Sequence, residues 1–329
     1  MERIITAVKP TGIVHIGNYF GAIKPFLDMS KDFESLLFVA DYHALNYIKN
    51  PTELKDYSFK LAVTYLACGL DPEKVVFFRQ SDIPEVFELN WILSNITPKG
   101  LMNRAHAYKA VVEKNEKEGI DRDSGVNMGL FNYPILMAAD ILLYNSKYVP
   151  VGLDQKQHCE IARDLAQMFN NRYGETFILP EPKIDQNVAV IPGLDGRKMS
   201  KSYNNTIELF CDEKTLQKTI NRIVTDSRLP GEPKDADCSL ANIYKLFTPK
   251  SEYEAYVKKL TEGLGWGDAK KELFEVMNNY ISPMRERYNY YLNNPKEVES
   301  ILEEGANKAR YLARKTLSKV RKKIGVKNN

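Results

Sequence analysis

The sequence predicts an α/β chain: a doubly wound parallel sheet over residues 1–205, then a helical domain over 206–329. Three observations predict it. Short apolar runs of strand length, Ile4–Val8, Leu36–Ala40 and Val75–Phe78, alternate with helical patterns, the signature of parallel βα units. The first run ends in a Pro/Gly turn that leads into a helix. After Ser202 the apolar spacing becomes helical almost to the end of the chain.

Taken in order, Ile4-Ile5-Thr6-Ala7-Val8 reads as a buried strand, and Tyr19-Phe20-Gly21-Ala22-Ile23-Lys24 as the opening of a helix. Between them lies Lys9-Pro10-Thr11-Gly12-Ile13-Val14-His15-Ile16-Gly17-Asn18. Free backbone N–H groups and the positive end of the helix dipole favour an anion at such a turn. Gly12 and Gly17 carry no Cβ and let the backbone approach a ligand, and His15 supplies a side-chain donor. A plain strand-to-helix turn holding a histidine accounts for this stretch equally well.

Leu36–Ala40 is the next buried strand and ends at Asp41-Tyr42-His43. Ligands of open α/β sheets lie beyond the carboxyl ends of strands, so His43 is either a ligand contact or a satisfied structural histidine. Asn50 is the expected N-cap of a helix that starts at Pro51 and stops near Gly69. Val75–Phe78 is a third strand, followed by Gln80-Ser81-Asp82. Residues 99–130 read as a polar insert, with Glu113–Glu118 a solvated helix or loop and Lys109 a surface lysine or, less readily, a phosphate contact.

Tyr133 to Tyr144 reads as a buried helix with Pro134 in its first turn, and Tyr133, Met137, Asp140 and Tyr144 share one face. A buried carboxylate is costly unless it is paired. The partner of Asp140 is therefore either a donor within the protein or a substrate N–H; an indole ring offers one donor and no acceptor. Tyr148 to His158 reads as a strand, a glycine turn and a helix. There Gly152-Leu153-Asp154 suits a ribose, Asp154 also suits the N-cap of helix 155–169, and Gln155 suits a polar substrate group.

Pro192-Gly193-Leu194-Asp195-Gly196 reads as a flexible segment. Lys198-Met199-Ser200-Lys201-Ser202 follows it and places two ammonium groups three residues apart with two hydroxyls, a composition suited to a leaving pyrophosphate. Asn204-Asn205 is a turn. Amphipathic helices are expected at 239–248, 251–261, 268–291 and 295–324.

The chain has 329 residues, with 46 Lys+Arg against 43 Asp+Glu and a formal net charge of +3. That near-balance by itself points to no nucleic-acid partner. The charge is uneven, however: residues 301–329 hold nine Lys/Arg and two Glu. The four cysteines, Cys68, Cys159, Cys211 and Cys238, form no C-x-x-C pair, which argues against a zinc or iron–sulfur site and for a reducing cytoplasm. No apolar run reaches the ~18 residues that a membrane span needs.

Together, His15-Ile16-Gly17-Asn18 and Lys198-Met199-Ser200-Lys201-Ser202 resemble the two signature sequences of class I aminoacyl-tRNA synthetases. Asn18 in place of a second histidine resembles the tryptophan-specific branch, as do Tyr133–Tyr144 and Gly152–Gln155. The resemblance runs from residue 3 to about 325. It implies a Rossmann-type catalytic domain, a helical anticodon-binding domain and a homodimer whose tRNA spans both subunits. It also implies activation of L-tryptophan by ATP and transfer to tRNA(Trp). No protein nucleophile is needed, because the substrate carboxylate attacks phosphorus directly.

By the same resemblance Pro10, Thr11, Gly17 and Asn18 lie at ATP and His15 near its phosphates; Lys9, just before Pro10, is expected to set its ammonium on an ATP phosphate by its position alone. Lys198 and Lys201 hold the pyrophosphate with Ser200 and Ser202, beside Met199. Gly152, Leu153 and Asp154 lie at the ribose and the main chain near Val190 at the adenine. Asp140 takes the indole N–H, and Tyr133, Met137, His43 and Gln155 complete the amino-acid pocket. Mg²⁺ is expected to arrive with ATP, with no dedicated protein site. The chain departs from the family at Lys9, where glutamine is usual, and at His106-Ala107-Tyr108-Lys109, which lacks the usual glutamine. A tyrosyl-tRNA synthetase, a small-molecule adenylyltransferase and a silent RNA-binding paralogue are the alternatives. The Asp140 helix, the Lys198–Ser202 loop and the intact lysines weigh against them in turn.

Overall fold

The computed structural model describes residues 1–184 and 190–326. Its centre is a five-stranded sheet in the order β3-β2-β1-β4-β5, with β1 Arg3–Val8, β2 Glu34–Val39, β3 Val75–Arg79, β4 Tyr148–Pro150 and β5 Glu181–Lys183. All four pairings are parallel; β1 runs in register with β2 from Arg3 opposite Glu34 to Val8 opposite Val39. The three apolar runs of the sequence are therefore its three longest strands. Their side chains alternate between two cores. Ile4, Leu37, Val39, Val75 and Phe77 belong to one; Ile5, Leu36, Phe38 and Phe78 belong to the other. Burial on both faces explains why these runs are continuously apolar.

The first core is shared with the C-terminal helices. Leu216, Leu240, Ile243, Leu273, Met277 and Ile281 join it. The second is closed by helices Glu85–Ser94, Met128–Leu142 and Lys156–Tyr173. Helix Pro51–Ala67 starts as expected, with the Asn50 side chain accepting from the amides of Thr52 and Glu53, and the chain turns away at Gly69 with φ +99°. The C-terminal helices fall at Ser239–Phe247, Lys250–Thr261, Trp266–Asn293 and Pro295–Ile324.

The last of these, Pro295–Ile324, passes around the β3 edge. Val298 and Leu302 join the first core, and Ala306, Ala309, Ala313, Leu317 and Val320 join the second. Gly305 lies at the crossing. A Cβ there would stand 1.7 Å from the Phe77 carbonyl oxygen, so only glycine permits so close an approach.

Four local expectations need correction. Helix Met128–Leu142 begins a turn and a half before Tyr133, capped by the Asn127 side chain on the amide of Leu130, so Pro134 is internal. The apolar stretch Met128–Phe131 extends the helix backwards, and the proline forfeits one intrahelical bond. Tyr144 falls beyond the helix end, buried against Phe78. The segment 192–196 is a hydrogen-bonded hairpin. Gly193 donates to the Arg197 carbonyl at 2.7 Å, and the Asn205 side chain bonds Asp195, Lys198 and the Ser200 amide. Helix 155–169 runs from Lys156 to Tyr173; Gln155 is its N-cap residue, and Asp154 instead accepts from Gln155 Nε2 at 2.8 Å.

Candidate active site

The strand order reverses direction between β1 and β4, and open α/β sheets bind ligands at that point beyond the strand ends. A cavity of about 1200 Å³ opens there. It gathers Lys9 after β1, His43 after β2 and Gly152, Leu153, Asp154 and Gln155 after β4. Tyr133, Met137 and Asp140 reach it from their helix, and Lys198 from the hairpin.

The phosphate-type turn is built by reciprocal capping. Asn18 donates its amide to His15 Nδ1 at 3.3 Å, and the Asn18 side-chain oxygen accepts from the His15 amide at 3.1 Å. Nδ1 is thus an acceptor, and the imidazole hydrogen resides on Nε2. Burial first, and the nearby Lys201 charge second, push the His15 pKa down to about 4, so the ring stays neutral. After Asn18 the helix widens into a π turn, Tyr19–Ile23, before resuming at Lys24–Met29. Gly21 and Ala22 of that turn line the cavity, a common placement for π turns. Gly12 adopts φ +111°, in the left-handed region that favours glycine.

The lysine-bearing loop is brought to this turn by backbone pairing. Ile16 donates to Ile207 at 3.0 Å and Leu209 donates to Val14 at 3.0 Å. Lys201 Nζ then reaches the Thr11 carbonyl at 3.2 Å, and burial lowers its pKa. Ser200 Oγ accepts from the Ser202 amide at 3.3 Å and fixes the turn that carries Lys201. Met199 is buried and anchors the loop through Ile191. Pro10, Thr11, Gly17, Asn18 and Ser202 stand on these two loops rather than on the cavity wall. Val190 is exposed and away from the wall; the residues just before it, 185–189, lie outside the described residues.

Asp140 is 4% exposed. His43 Nε2 is 2.9 Å from its Oδ2, and Gln80 Nε2 donates to both oxygens at 3.0 and 2.9 Å. Burial raises its pKa and the His43 hydrogen bond pulls it back. Two donors aimed at one carboxylate make it an acceptor, and one lone pair of Oδ1 remains for a ligand.

Sequence reasoning missed Gln80, His158, Tyr47 and Lys183. Gln80 was visible only as the first polar residue after β3. Lys9 Nζ lies 4.8 Å over the Tyr47 ring, on the cavity wall. Lys183 lies 5.3 Å over Phe33 and 5.4 Å over Tyr148, also at the wall. The insert is held by Gln157. That side chain accepts from the His106 amide at 2.8 Å and donates to the Arg104 carbonyl at 3.1 Å. Lys109 faces Glu113 at 3.5 Å, as a surface lysine should.

On the last helix three cations are engaged with the body of the protein. Arg310 donates to the Asp82 carbonyl, Arg314 pairs with Glu85 and Arg321 with Glu88. Lys308, Lys315, Lys319 and Lys322 share another, exposed side. Among the described residues no three His, Cys, Asp or Glu cluster as metal ligands, and no helix is long and apolar enough to cross a membrane.

Residues 2–282 match the family model described as tRNA synthetases class I (W and Y). The chain is 54% identical over 329 residues to a tryptophan–tRNA ligase of Bordetella parapertussis, covering 98% of this chain and 73% of that one. It is 53% identical over 330 residues to the tryptophan–tRNA ligase of Neisseria meningitidis, covering 99% and 98%. Its fold superposes on tryptophanyl-tRNA synthetase from Campylobacter jejuni, complexed with ADP and tryptophan. The TM-score is 0.91 and the identity 46%, over 98% of this chain and 100% of that one.

Proposed function

The chain belongs to the class I tRNA synthetases of the tryptophan and tyrosine family, and from that premise we propose how its own residues carry out the reaction of a tryptophan–tRNA ligase. It activates L-tryptophan with ATP to tryptophanyl-adenylate and pyrophosphate, then transfers the tryptophanyl group to tRNA(Trp). The observation that carries this reading is the buried acceptor Asp140 in the wall of a cavity that also takes in Lys198.

In this reading the indole N–H meets the free lone pair of Asp140, and Tyr133 and Met137 flank the ring. His43 and Gln80 hold the carboxylate in place. The neutral His15 donates from Nε2 to a phosphate oxygen, the Gly17 backbone lies beside the same anion, and Asn18 holds the His15 ring in place. Lys198 and Lys201 neutralise the charge that grows on the departing pyrophosphate, with Ser200 and Ser202 beside them and Met199 as the loop's buried anchor. Gly152, Leu153 and Asp154 hold the ribose. Pro10 and Thr11 shape the turn, and the main chain near Val190 takes the adenine. Catalysis is then positioning and electrostatic stabilisation.

Mg²⁺ enters with ATP as part of the substrate and is held mainly by phosphate oxygens; the lysines of the site suit an anion better than a bare cation. The exposed lysines of helix Pro295–Ile324 meet the tRNA backbone. Residues 1–205 act as the catalytic domain and 206–329 as the helical one that reads the anticodon. The reading includes a homodimer. Four unpaired cysteines fit a cytoplasmic enzyme.

Amino-acid-dependent exchange of pyrophosphate into ATP, run across all twenty amino acids, tests the reading. Exchange with tryptophan alone is expected. Exchange with tyrosine, or with none, would overturn it.

A further inference from the structure

His158 lies in the first turn of helix Lys156–Tyr173 and is 2% exposed. Its Nε2 is hydrogen-bonded to the Tyr133 hydroxyl, with the two rings edge to face and their centroids 5.0 Å apart. Its Nδ1 is buried without a partner among the described residues. A buried polar atom left unpaired costs stability, so the ring is held there at some expense.

The hydrogen of this pair has a preferred position. A phenol is a far stronger acid than a neutral imidazole N–H, and an imidazole nitrogen is a far stronger base than a phenol oxygen. Tyr133 therefore donates, Nε2 accepts, and the imidazole hydrogen resides on Nδ1. Burial first, then the nearby His106 and Lys9 charges, push the His158 pKa down to about 4, so a second proton does not reverse the bond. With its one hydrogen committed to the wall, the Tyr133 oxygen has only lone pairs to offer the cavity it lines. Burial first, then the neighbouring Tyr47 and Asp154, raise the pKa of that hydroxyl, so it keeps its hydrogen. This part of the wall is an acceptor surface, suited to a substrate ammonium group.

We propose that His158 is a positioning residue for tryptophan activation, keeping the Tyr133 hydroxyl turned away from the cavity so that its oxygen accepts from the α-ammonium of the amino acid. The proposal rests on the tryptophan reading above. Without His158 the hydroxyl hydrogen turns into the cavity or toward Asp154, and the acceptor is lost.

The test compares L-tryptophan with indole-3-propionate, which has the same ring and carboxylate and no ammonium. Binding of both to the full chain is measured by calorimetry, beside KM for ATP. His158→Leu removes the acceptor, His158→Phe does so while keeping a ring, and His158→Gln restores an acceptor. The leucine and phenylalanine variants should lose about tenfold or more in tryptophan affinity while indole-3-propionate stays within about twofold, the loss expected for one hydrogen bond to a charged group. His158→Gln should recover most of it, and Tyr133→Phe should lose as much, with no further loss on adding His158→Phe. Equal loss of both ligands, or no loss of either, overturns the proposal alone. Failure of the unaltered chain to bind tryptophan overturns the tryptophan reading as well.

Discussion

Asp140→Asn keeps the shape of the carboxylate and removes its charge. The surrounding donors decide how the site responds. Gln80 Nε2 continues to donate to the amide oxygen but loses its bond to the other position, where the amide nitrogen faces His43 Nε2, which is able to accept when its hydrogen moves to the other ring nitrogen. The fold therefore accepts asparagine at the loss of one Gln80 hydrogen bond, and in the proposed pose the indole N–H still finds an oxygen. The strength of that bond is the quantity that changes. A charge-assisted hydrogen bond is worth ~1.5–3 kcal/mol and a neutral one ~0.5–1.5 kcal/mol, so kcat/KM for tryptophan should fall about tenfold. KM for ATP should hold, because the carboxylate touches nothing in the 9–18 turn or the 198–202 loop.

The assay is tryptophan-dependent pyrophosphate exchange, with a thermal melt of the same sample. Asp140→Ala is the less informative variant. It strands the His43 and Gln80 donors, at about 1–3 kcal/mol each, and lowers stability together with activity. A second readout is pH. Burial raises the Asp140 pKa, so the charged acceptor is lost as pH falls through a value above the ordinary 3.8. The acid limb of kcat/KM for tryptophan should lie higher than a solvated carboxylate allows, and should vanish in Asp140→Asn. An asparagine variant with unchanged kcat/KM for tryptophan would refute the assignment.

Lys9→Gln restores the family's usual residue at the cavity wall and should raise KM for ATP about threefold to tenfold. The ~4 kcal/mol of a unit-charge pair ~4 Å apart is much reduced by solvent at this exposed side chain. The Mg²⁺ requirement should steepen, and KM for tryptophan should not move; an unaltered ATP and Mg²⁺ dependence would dismiss any role for the charge. Reversing Lys315, Lys319 and Lys322 to Glu should weaken aminoacylation and flatten its salt dependence while pyrophosphate exchange stays intact. Arg314 is left alone because it pairs with Glu85, and equal loss in both steps would point to a folding role. The pKa values of His15 and His158 each fall from 6.5 to about 4 on folding. The unfolded chain takes up their protons first, so stability is full above about pH 6.5 and is lost as pH falls toward 4, by about 3 kcal/mol per ring at most. Urea melts of His15→Asn and His158→Gln should show a shallower decline than the parent, and identical slopes would contradict the linkage.

Much of the fold was legible because it rests on local pattern. Strands buried on both faces must be continuously apolar, and a helix that starts Asn-Pro and stops at glycine announces both ends. The candidate site was legible where its residues lie on one stretch, as in His15–Asn18 and Lys198–Ser202, two stretches that the fold brings together. It was not legible where two distant residues meet. Gln80 is separated from Asp140 by 60 positions and His158 from Tyr133 by 25, and nothing in either residue's neighbours announces the contact. The hairpin 192–198 was misread for a related reason. Its glycines suggest freedom, and the restraint comes from Asn205, a residue whose sequence context reads only as a turn.

The helix that wraps the β3 edge has a consequence for the order of synthesis. Residues 295–324 leave the ribosome after every strand they cover. Until then the sheet emerges with one edge and parts of both apolar faces exposed to other nascent chains. The sheet-bearing half, although encoded first, thus completes its packing only when the distant helix arrives and Gly305 settles on Phe77. A message cut short before that point yields a chain with an open β edge, a substrate for chaperones and proteases rather than a partial enzyme.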